Sequence, residues 1–291
     1  MKAVCWLLCA LSFCAVDLAR GQGLPPLGSP PPAAKPAEHG GSLSVAATNE
    51  DLKTARAANA DKRYADAETL MLKDTAIRPD LPYLWIELGL AQLGQKKYDD
   101  AEAAFKKAIA NNGAETTAPT ASTSGFYATD GKGTHTGITI SDKPQGGANK
   151  HLPDIDGICQ SSLGEIYIHD GKTTEAKAAF DAAATAYPQQ APLYYRNEAV
   201  FFLQAGNAFE QVAAADKAIA IDPTRAVLYF YKGQGLAAQA TIDPKTQKLV
   251  FPAGAADALQ KYLDLDPAGP YANDAKGMLL AAGITPKAAK K

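Results

Sequence analysis

The sequence is poor in cysteine, in net charge and in long hydrophobic runs, and each deficit excludes a class of protein. It has four cysteines in 291 residues and a formal net charge of -2. A chain so close to neutrality gives no electrostatic reason to expect nucleic acid or an anionic membrane surface as a partner. After the first residues, no apolar run reaches the length of about 20 residues that a membrane-spanning helix needs. We therefore expect no transmembrane segment in the mature chain.

The N-terminus has the pattern of a secretory signal peptide. Lys2 precedes an apolar run over residues 3–16, which is too short to span a bilayer. Ala19 and Gly21 then place small residues at the two positions that a signal peptidase reads. We predict a signal peptide over residues 1–21 and a secreted or periplasmic protein of bacterial type.

Cleavage of that segment would leave Cys159 as the one cysteine of the mature chain. A lone thiol forms no internal disulfide, so a hydrophobic core must stabilise the fold. An alternative is that Cys14 carries a lipid, although Phe13 immediately before it is bulky for such a site.

Two further segments have little to bury. Residues 22–48 are rich in Pro and Gly, which predicts a disordered tether. Residues 285–291 are basic and are predicted to form a solvated tail.

An internal period of 34 residues runs through the chain. The segments DKRYADAETLMLKDTAIRPD and QKKYDDAEAAFKKAIANNG carry the same residue types in the same order. Such a period indicates a repeated supersecondary unit, because stacked units bury a hydrophobic stripe that one unit alone leaves exposed. The pairs related by 34 residues are Tyr64 and Tyr98, Ala67 and Ala101, Met71 and Phe105, and Pro79 and Gly113.

A third copy keeps the internal spacing of the second. Ala101 follows Gly89 by 12 residues, and Ala176 follows Gly164 by the same number. Gly164 lies 75 residues after Gly89, which is one period plus 41. The surplus predicts an insertion over residues 113–154, with the repeat continuing on both sides of it.

Two more copies complete the series. The fifth closes at Pro267, 44 residues after Pro223, which is one period plus ten. This surplus predicts a second insertion over residues 241–252, between the two helices of the fifth copy. The fourth copy is in register at Ala199, Ala215, Ala218 and Pro223.

These copies resemble the tetratricopeptide repeat family. Its unit has an aromatic residue and a Leu-Gly pair on a first helix, Ala and aromatic positions on a second, and a closing Pro. The resemblance implies an all-α fold: a right-handed α-solenoid of helix-turn-helix repeats with a C-terminal capping helix. Repeats 1 and 2 would occupy residues 49–112, repeats 3 to 5 residues 155–267, and the capping helix residues 268–284.

Copies one and four depart from the family pattern. Asp74 stands where the second helix usually carries Ala, Glu198-Ala199 replaces the Leu-Gly pair, and Gln211 replaces another Ala. In the copies that match, Gly89 and Gly164 are predicted to lie where the two helices of a unit approach most closely.

The insertion over residues 113–154 has no helical stripe. We interpret it as a loop, with a short hairpin possible at THTGITISD, and a role as a binding loop is the alternative. His135 and His151 lack a carboxylate or cysteine at metal-ligand spacing, so we expect no metal site.

No constellation for catalysis is apparent. No motif places a histidine beside Cys159, which falls where a small core residue is expected, and His169 is predicted to lie on the surface at a helix end. We therefore expect no enzyme activity and no cofactor.

Binding is the activity that the resemblance implies, because stacked repeats present a concave groove lined by their first helices. We predict a non-catalytic scaffold or adaptor of the cell envelope or secreted space that binds a protein or peptide. A self-associating structural protein, or an enzyme with its site on the 113–154 insertion, are the alternatives. The predicted groove residues are Leu52, Arg56, Tyr83, Ile86, Leu90, Leu93, Ser161, Glu165, Ile168, Leu193, Arg196, Val200, Gln204, Val227, Phe230 and Gln234.

Overall fold

A computed structural model describes residues 45–113 and 151–287. These residues contain eleven α-helices and one short hairpin. The predicted signal peptide, most of the tether and most of the insertion, with its suggested hairpin and His135, lie outside the described residues. The helices are α1 (Val45–Ala60), α2 (Tyr64–Ile77), α3 (Pro82–Gly94), α4 (Tyr98–Asn111), α5 (Pro153–His169), α6 (Thr173–Ala186), α7 (Ala191–Gln204), α8 (Ala208–Ile221), α9 (Ala226–Ala237), α10 (Ala255–Leu265) and α11 (Ala272–Ala281).

The helices pack as five consecutive pairs followed by α11, which confirms the predicted all-α solenoid. Each helix contacts the next along the chain, and each first helix of a pair also contacts the first helix of the next pair. Within the described residues, the first helices contact one another more extensively than the second helices do. The first helices α1, α3, α5, α7 and α9 therefore form one continuous row, which is the inner row of a solenoid.

Proline ends the second helices, as the sequence predicts. Helices α2, α6, α8 and α10 each stop two residues before a proline, whose ring removes an amide donor and clashes with the preceding turn. The aromatic residue of the repeat motif, on the next first helix, then donates a hydrogen bond to the carbonyl of this proline. Trp85 Nε1 donates a hydrogen bond to the Pro79 carbonyl at 2.7 Å, and Tyr229 donates in the same way to Pro223 at 3.0 Å.

Close helix approach explains the glycines of repeats 2 and 3. A Cβ atom placed on Gly89 would lie 2.8 Å from the ring of Phe105, and one on Gly164 would lie 2.5 Å from Phe180. Both rings are fully buried. The glycine on the first helix thus leaves room for the aromatic ring on the second helix, as the sequence predicts.

Repeat 4 solves the same packing problem with two alanines. Ala199 stands at the glycine position and Ala215 at the aromatic position, and both are fully buried. A methyl group on the first helix fits because no ring faces it. The pair belongs to a small core cluster with Ala214, against which Tyr231 packs.

The positions that depart from the motif bury polar side chains. Asp74, Glu198 and Gln211 are each at most 1% exposed. The amide Nε2 of Gln211 reaches the Tyr231 carbonyl at 2.8 Å, whereas neither carboxylate oxygen of Asp74 makes a hydrogen bond to a described residue. Departure from the pattern therefore marks changes in the interior of the protein.

The two ends of the first insertion meet at Asn112. Its side-chain oxygen accepts a hydrogen bond from the Leu152 amide at 3.0 Å, and its Nδ2 donates to the Leu152 carbonyl at 2.9 Å and to Asp156 at 2.8 Å. Helix α5 then begins at Pro153 and packs on α4. The chain therefore leaves and re-enters the repeat stack at one place, and the stacking continues across the insertion.

The segment between α9 and α10 contains an antiparallel hairpin of two short strands, β1 (Thr241–Ile242) and β2 (Leu249–Val250). It lies at the second surplus stretch. The last helix, α11, packs on α10 through a cluster around Tyr262 and Leu279, and Gly283 follows it with a φ of +73°.

Candidate functional site

Several predicted groove residues belong to the core. Tyr83, Ile86 and Phe230 are at most 3% exposed, so their placement on an open groove is wrong. The helical spacing correctly places these residues on the inward faces of their helices. Their side chains nevertheless pack between neighbouring helices and do not line an open groove. Leu52, Ser161 and Ile168 are buried as well.

Arg56 is also used by the fold. Its Nε lies 2.8 Å from Glu87 Oε1, and the Glu87 side chain is fully buried. Asn59 Nδ2 adds a hydrogen bond of 3.1 Å to the same carboxylate. Because this network joins repeats 1 and 2 in the interior, the prediction that Arg56 faces a partner is wrong.

The remaining predicted residues keep part of their surface exposed. They lie on the first helices α3, α5, α7 and α9, which form the inner row, and most of them are apolar. Two charged side chains stand among them, one of each sign. These residues are Leu90, Leu93, Glu165, Leu193, Arg196, Val200, Gln204, Val227 and Gln234.

A cavity of about 500 Å³ opens between the ends of α5 and α7. Glu165 and Gln204 line it, as does the one exposed edge of Ile168. Phe201 and Phe202 contribute aromatic surface to its wall. The structure therefore brings three predicted residues of two repeats together around one space.

Glu165 has no charged partner in this cavity. Burial alone raises the pKa of its carboxyl to about 7, because a carboxylate loses hydration in an apolar site. The cavity wall includes a stacked pair of rings, Tyr98 and His169, whose centroids are 3.7 Å apart. The carboxyl thus faces aromatic and aliphatic surface.

Arg196 is the corresponding cation on α7. Its one hydrogen bond runs from Nη2 to the side-chain oxygen of Asn197 at 3.1 Å, and no carboxylate among the described residues pairs with it. Burial lowers the pKa of Arg196, while the nearby phenols of Tyr231 and Tyr271 oppose this shift. An unneutralised guanidinium in a partly buried position is suited to an anionic or carbonyl ligand.

Sequence reasoning missed the aromatic walls. Tyr98 was visible as a repeated residue, but its contact with the next repeat depends on the stacking of α4 against α5. His169 is exposed at the end of α5, as predicted, yet it also packs on Tyr98. Tyr271 lies outside the repeats and stacks on Phe230 at a centroid distance of 4.3 Å.

The described residues hold no group of three or more His, Cys, Asp or Glu side chains that could bind a metal ion. Cys159 is fully buried in α5, and burial raises its pKa well above the usual range, so the thiolate form is disfavoured. Within residues 45–113 and 151–287, each helix is too short or too polar to traverse a bilayer.

The tetratricopeptide repeat family profile matches two segments of the sequence, residues 82–114 and 160–190. These segments contain α3 with α4 and most of α5 with α6, the two units in which glycine and phenylalanine interlock. The two matched segments are tetratricopeptide repeats.

Several solved structures are similar to this chain over most of its length at low sequence identity. YrrB, described as a TPR protein with an unusual peptide-binding site, is 13% identical, with 78% of this chain and 90% of YrrB covered and a TM-score of 0.44. MamA is 13% identical over 75% of this chain and 93% of its own, with a TM-score of 0.45. A thermophilic TPR protein of Thermus thermophilus is 13% identical over 80% and 97%, with a TM-score of 0.43. No curated protein matches the sequence.

Proposed function

We propose that this protein is a non-catalytic scaffold that binds a protein or peptide along the inner row of first helices. The observation that carries the proposal is a pair of ionisable side chains on neighbouring first helices, Glu165 on α5 and Arg196 on α7, with which no oppositely charged group among the described residues pairs. A charge that is held partly buried without a partner costs stability. A ligand that supplied the opposite charge would recover that cost.

The surface between and beside these charges suits an extended or helical peptide. Val200 and Val227 are partly exposed on α7 and α9, and Leu90 and Leu93 are partly exposed on α3. Apolar contacts flanked by a few well-placed polar groups are typical of ligand sites. The site therefore offers apolar surface that a peptide can bury and two ionisable side chains that can fix the orientation of the peptide.

Selection from a random peptide display library tests this proposal, followed by fluorescence polarisation with the full chain. Arg196→Glu should weaken the selected peptides about tenfold or more, because it replaces an attractive charge by a repulsive one. Arg63→Glu is the matched control, since Arg63 is exposed in the turn before α2. It should leave the affinity within about twofold of the original.

Failure of the library to yield any specific peptide, or equal losses in both variants, would overturn the proposed function. Self-association through the same surface is a distinct outcome. It would appear as a molecular mass in light scattering that rises with concentration and falls in the Arg196→Glu variant.

We propose further that the protein acts in the cell envelope or secreted space. The support is the short apolar segment over residues 3–16 with Ala19 and Gly21 after it. Expression in a bacterial host followed by mass spectrometry of the extracytoplasmic fraction tests this. The expected mature N-terminus is Gln22, and a chain recovered intact in the cytoplasm would contradict the proposal.

A further inference from the structure

The cavity between α5 and α7 has an unusual charge composition. The described residues that line it include one carboxylate, Glu165, and no lysine or arginine. The other polar groups of the wall are neutral side chains such as Gln204, and the ring of His169. A cation entering from outside would therefore find one carboxyl with which to pair.

The walls of the cavity combine aromatic and aliphatic surface with the Glu165 carboxyl. Phe201, Phe202 and Ile168 form aliphatic and aromatic surface, and the Tyr98 and His169 rings stack beside the carboxyl. A guanidinium is planar, stacks on aromatic faces and donates two parallel hydrogen bonds to a carboxylate. An ammonium is compact and strongly hydrated, so it gains less from such walls.

We propose that this cavity binds an arginine side chain of a partner peptide, with the guanidinium on Glu165 and the methylene stem against Ile168, Phe201 and Phe202. The inference rests on the proposed peptide-binding function and names the residue that the groove recognises. The volume of about 500 Å³ lies within the range of ligand pockets, which admits the side chain together with its flanking backbone.

The environment of the Glu165 carboxyl supports this occupant. The pKa of Glu165 is raised to about 7 because burial disfavours its charged form and nothing nearby compensates. A bound guanidinium would supply that compensation and hold the carboxyl ionised. The chain itself contains no arginine between residues 114 and 150, although it has Lys132, Lys143 and Lys150 there.

The test uses the full chain at pH 8 and three blocked pentapeptides, Gly-Ala-X-Ala-Gly, in which X is arginine, lysine or citrulline. Citrulline keeps the shape of arginine and lacks its charge. NMR titration of the isotope-labelled protein should show the arginine peptide binding about tenfold or more tighter than the citrulline peptide, with the lysine peptide between them. Equal binding of arginine and citrulline, or of arginine and lysine, would overturn the assignment.

Two variants test whether the preference for arginine arises in this cavity. Glu165→Gln should reduce the preference for arginine over citrulline to less than about twofold, because the neutral amide accepts only an ordinary hydrogen bond. Ala205→Leu, at an exposed position on the cavity rim, should weaken all three peptides by filling the space while it leaves the carboxyl in place. Glu50→Gln on α1 is the matched control, exposed and remote, and should change nothing.

Circular dichroism of each variant separates lost binding from lost structure, and retained preference in a folded Glu165→Gln chain would overturn the proposal. If library peptides depend on Arg196 but not on Glu165, the arginine assignment fails while the proposed function stands.

Discussion

Repeats 2 and 3 differ from repeats 1 and 4 in what their interiors hold at equivalent positions. The second helix of repeats 2 and 3 places Ala108 and Ala183 against its neighbours, whereas repeat 1 places Asp74 there. Repeats 2 and 3 carry Leu88 and Leu163 before the close-contact glycine, and repeat 4 carries Glu198. At these equivalent positions, one backbone architecture thus buries apolar side chains in some units and carboxyls in others.

The cost of the buried carboxyls depends on their partners. Glu87 is neutralised by Arg56 and accepts from Asn59, so its charge is satisfied inside the stack. Glu198 has Lys217 at 3.7 Å, and neither carboxylate oxygen of Asp74 accepts a hydrogen bond from a described residue. Burial raises the pKa of both carboxyls to about 7. The comparison shows that stacked repeats can bury carboxyl groups. The cost in stability depends on whether a cation or a hydrogen-bond donor lies beside each carboxyl.

The largest expected effect comes from breaking the pair of Arg56 and Glu87. Arg56→Met keeps much of the stem and removes the cation that lies 2.8 Å from the buried Glu87 carboxylate. The free energy of unfolding should fall by about 3–5 kcal/mol, because removing one partner of a buried ion pair is strongly destabilising. Urea denaturation followed by circular dichroism measures it, with the exposed Arg63→Met as control.

A loss below about 1 kcal/mol for Arg56→Met would show that the pair contributes little, and the contrast between Glu87 and Asp74 would disappear.

The interlocking of glycine and phenylalanine can be tested by a double-mutant cycle in repeat 3. Gly164→Ala should destabilise the protein by about 1–3 kcal/mol, because the new methyl group meets the Phe180 ring. In a Phe180→Ala background the same change should be neutral or stabilising, since alanine is the better helix former. Stability of the four chains gives the coupling.

Additive effects of the two changes on the free energy of unfolding would contradict the packing explanation. They would also contradict the explanation given for the two alanines of repeat 4.

Asp74 provides a pH-dependent test. Its pKa is raised to about 7 by burial first and by the charge of Asp51 second. An acid whose pKa is raised on folding holds its proton while the unfolded chain ionises, so the free energy of unfolding falls as pH rises from about 4 to about 7 and then levels off. Asp74→Asn should flatten this slope and stabilise the protein at pH 8 by about 1–3 kcal/mol.

Thermal denaturation at pH 5 and pH 8 distinguishes the outcomes, because the benefit of Asp74→Asn should be much smaller at the lower pH. An equal change at both values would mean that ionisation of Asp74 is not the cause.

The smallest expected effect concerns the alanine pair of repeat 4. Ala199→Gly restores the motif residue where no ring needs the space. It should destabilise the protein by about 0.5–1 kcal/mol through lower helix propensity. Chemical denaturation checks this, and a stabilising change would show that Ala199 is strained, in conflict with the fit between Ala199 and Ala215.

Periodicity was sufficient to predict most of the fold, because each repeated residue has a local reason. Proline stops a helix through its own ring, and Gly89 and Gly164 are required by contacts within a single unit. The insertion could be placed because the spacing on both sides of it is conserved within the chain. The departures at Asp74, Glu198 and Gln211 were visible as well, but their energetic consequences were not.

The candidate site was predicted less well. Helical spacing identified the inward faces of the first helices, and Glu165, Arg196, Val200 and Gln204 do lie partly exposed there. The same spacing also selected Tyr83, Ile86 and Phe230, which are core residues, and Arg56, which pairs with Glu87. A period of 3.6 residues distinguishes the inward face of a helix from its outward face. It does not distinguish inward residues that a neighbouring helix covers from inward residues that stay exposed.

The sequence by itself determined the repeat length, the helix ends, the interlocking small and large residues and the places where the series is interrupted. These follow from short-range sterics and from contacts at fixed spacing along the chain. Only the tertiary structure decided which inward side chains are buried, which charges are neutralised and where α5 and α7 leave a cavity. Those properties depend on the angle and distance between neighbouring helix pairs, which the packing of all the repeats determines together.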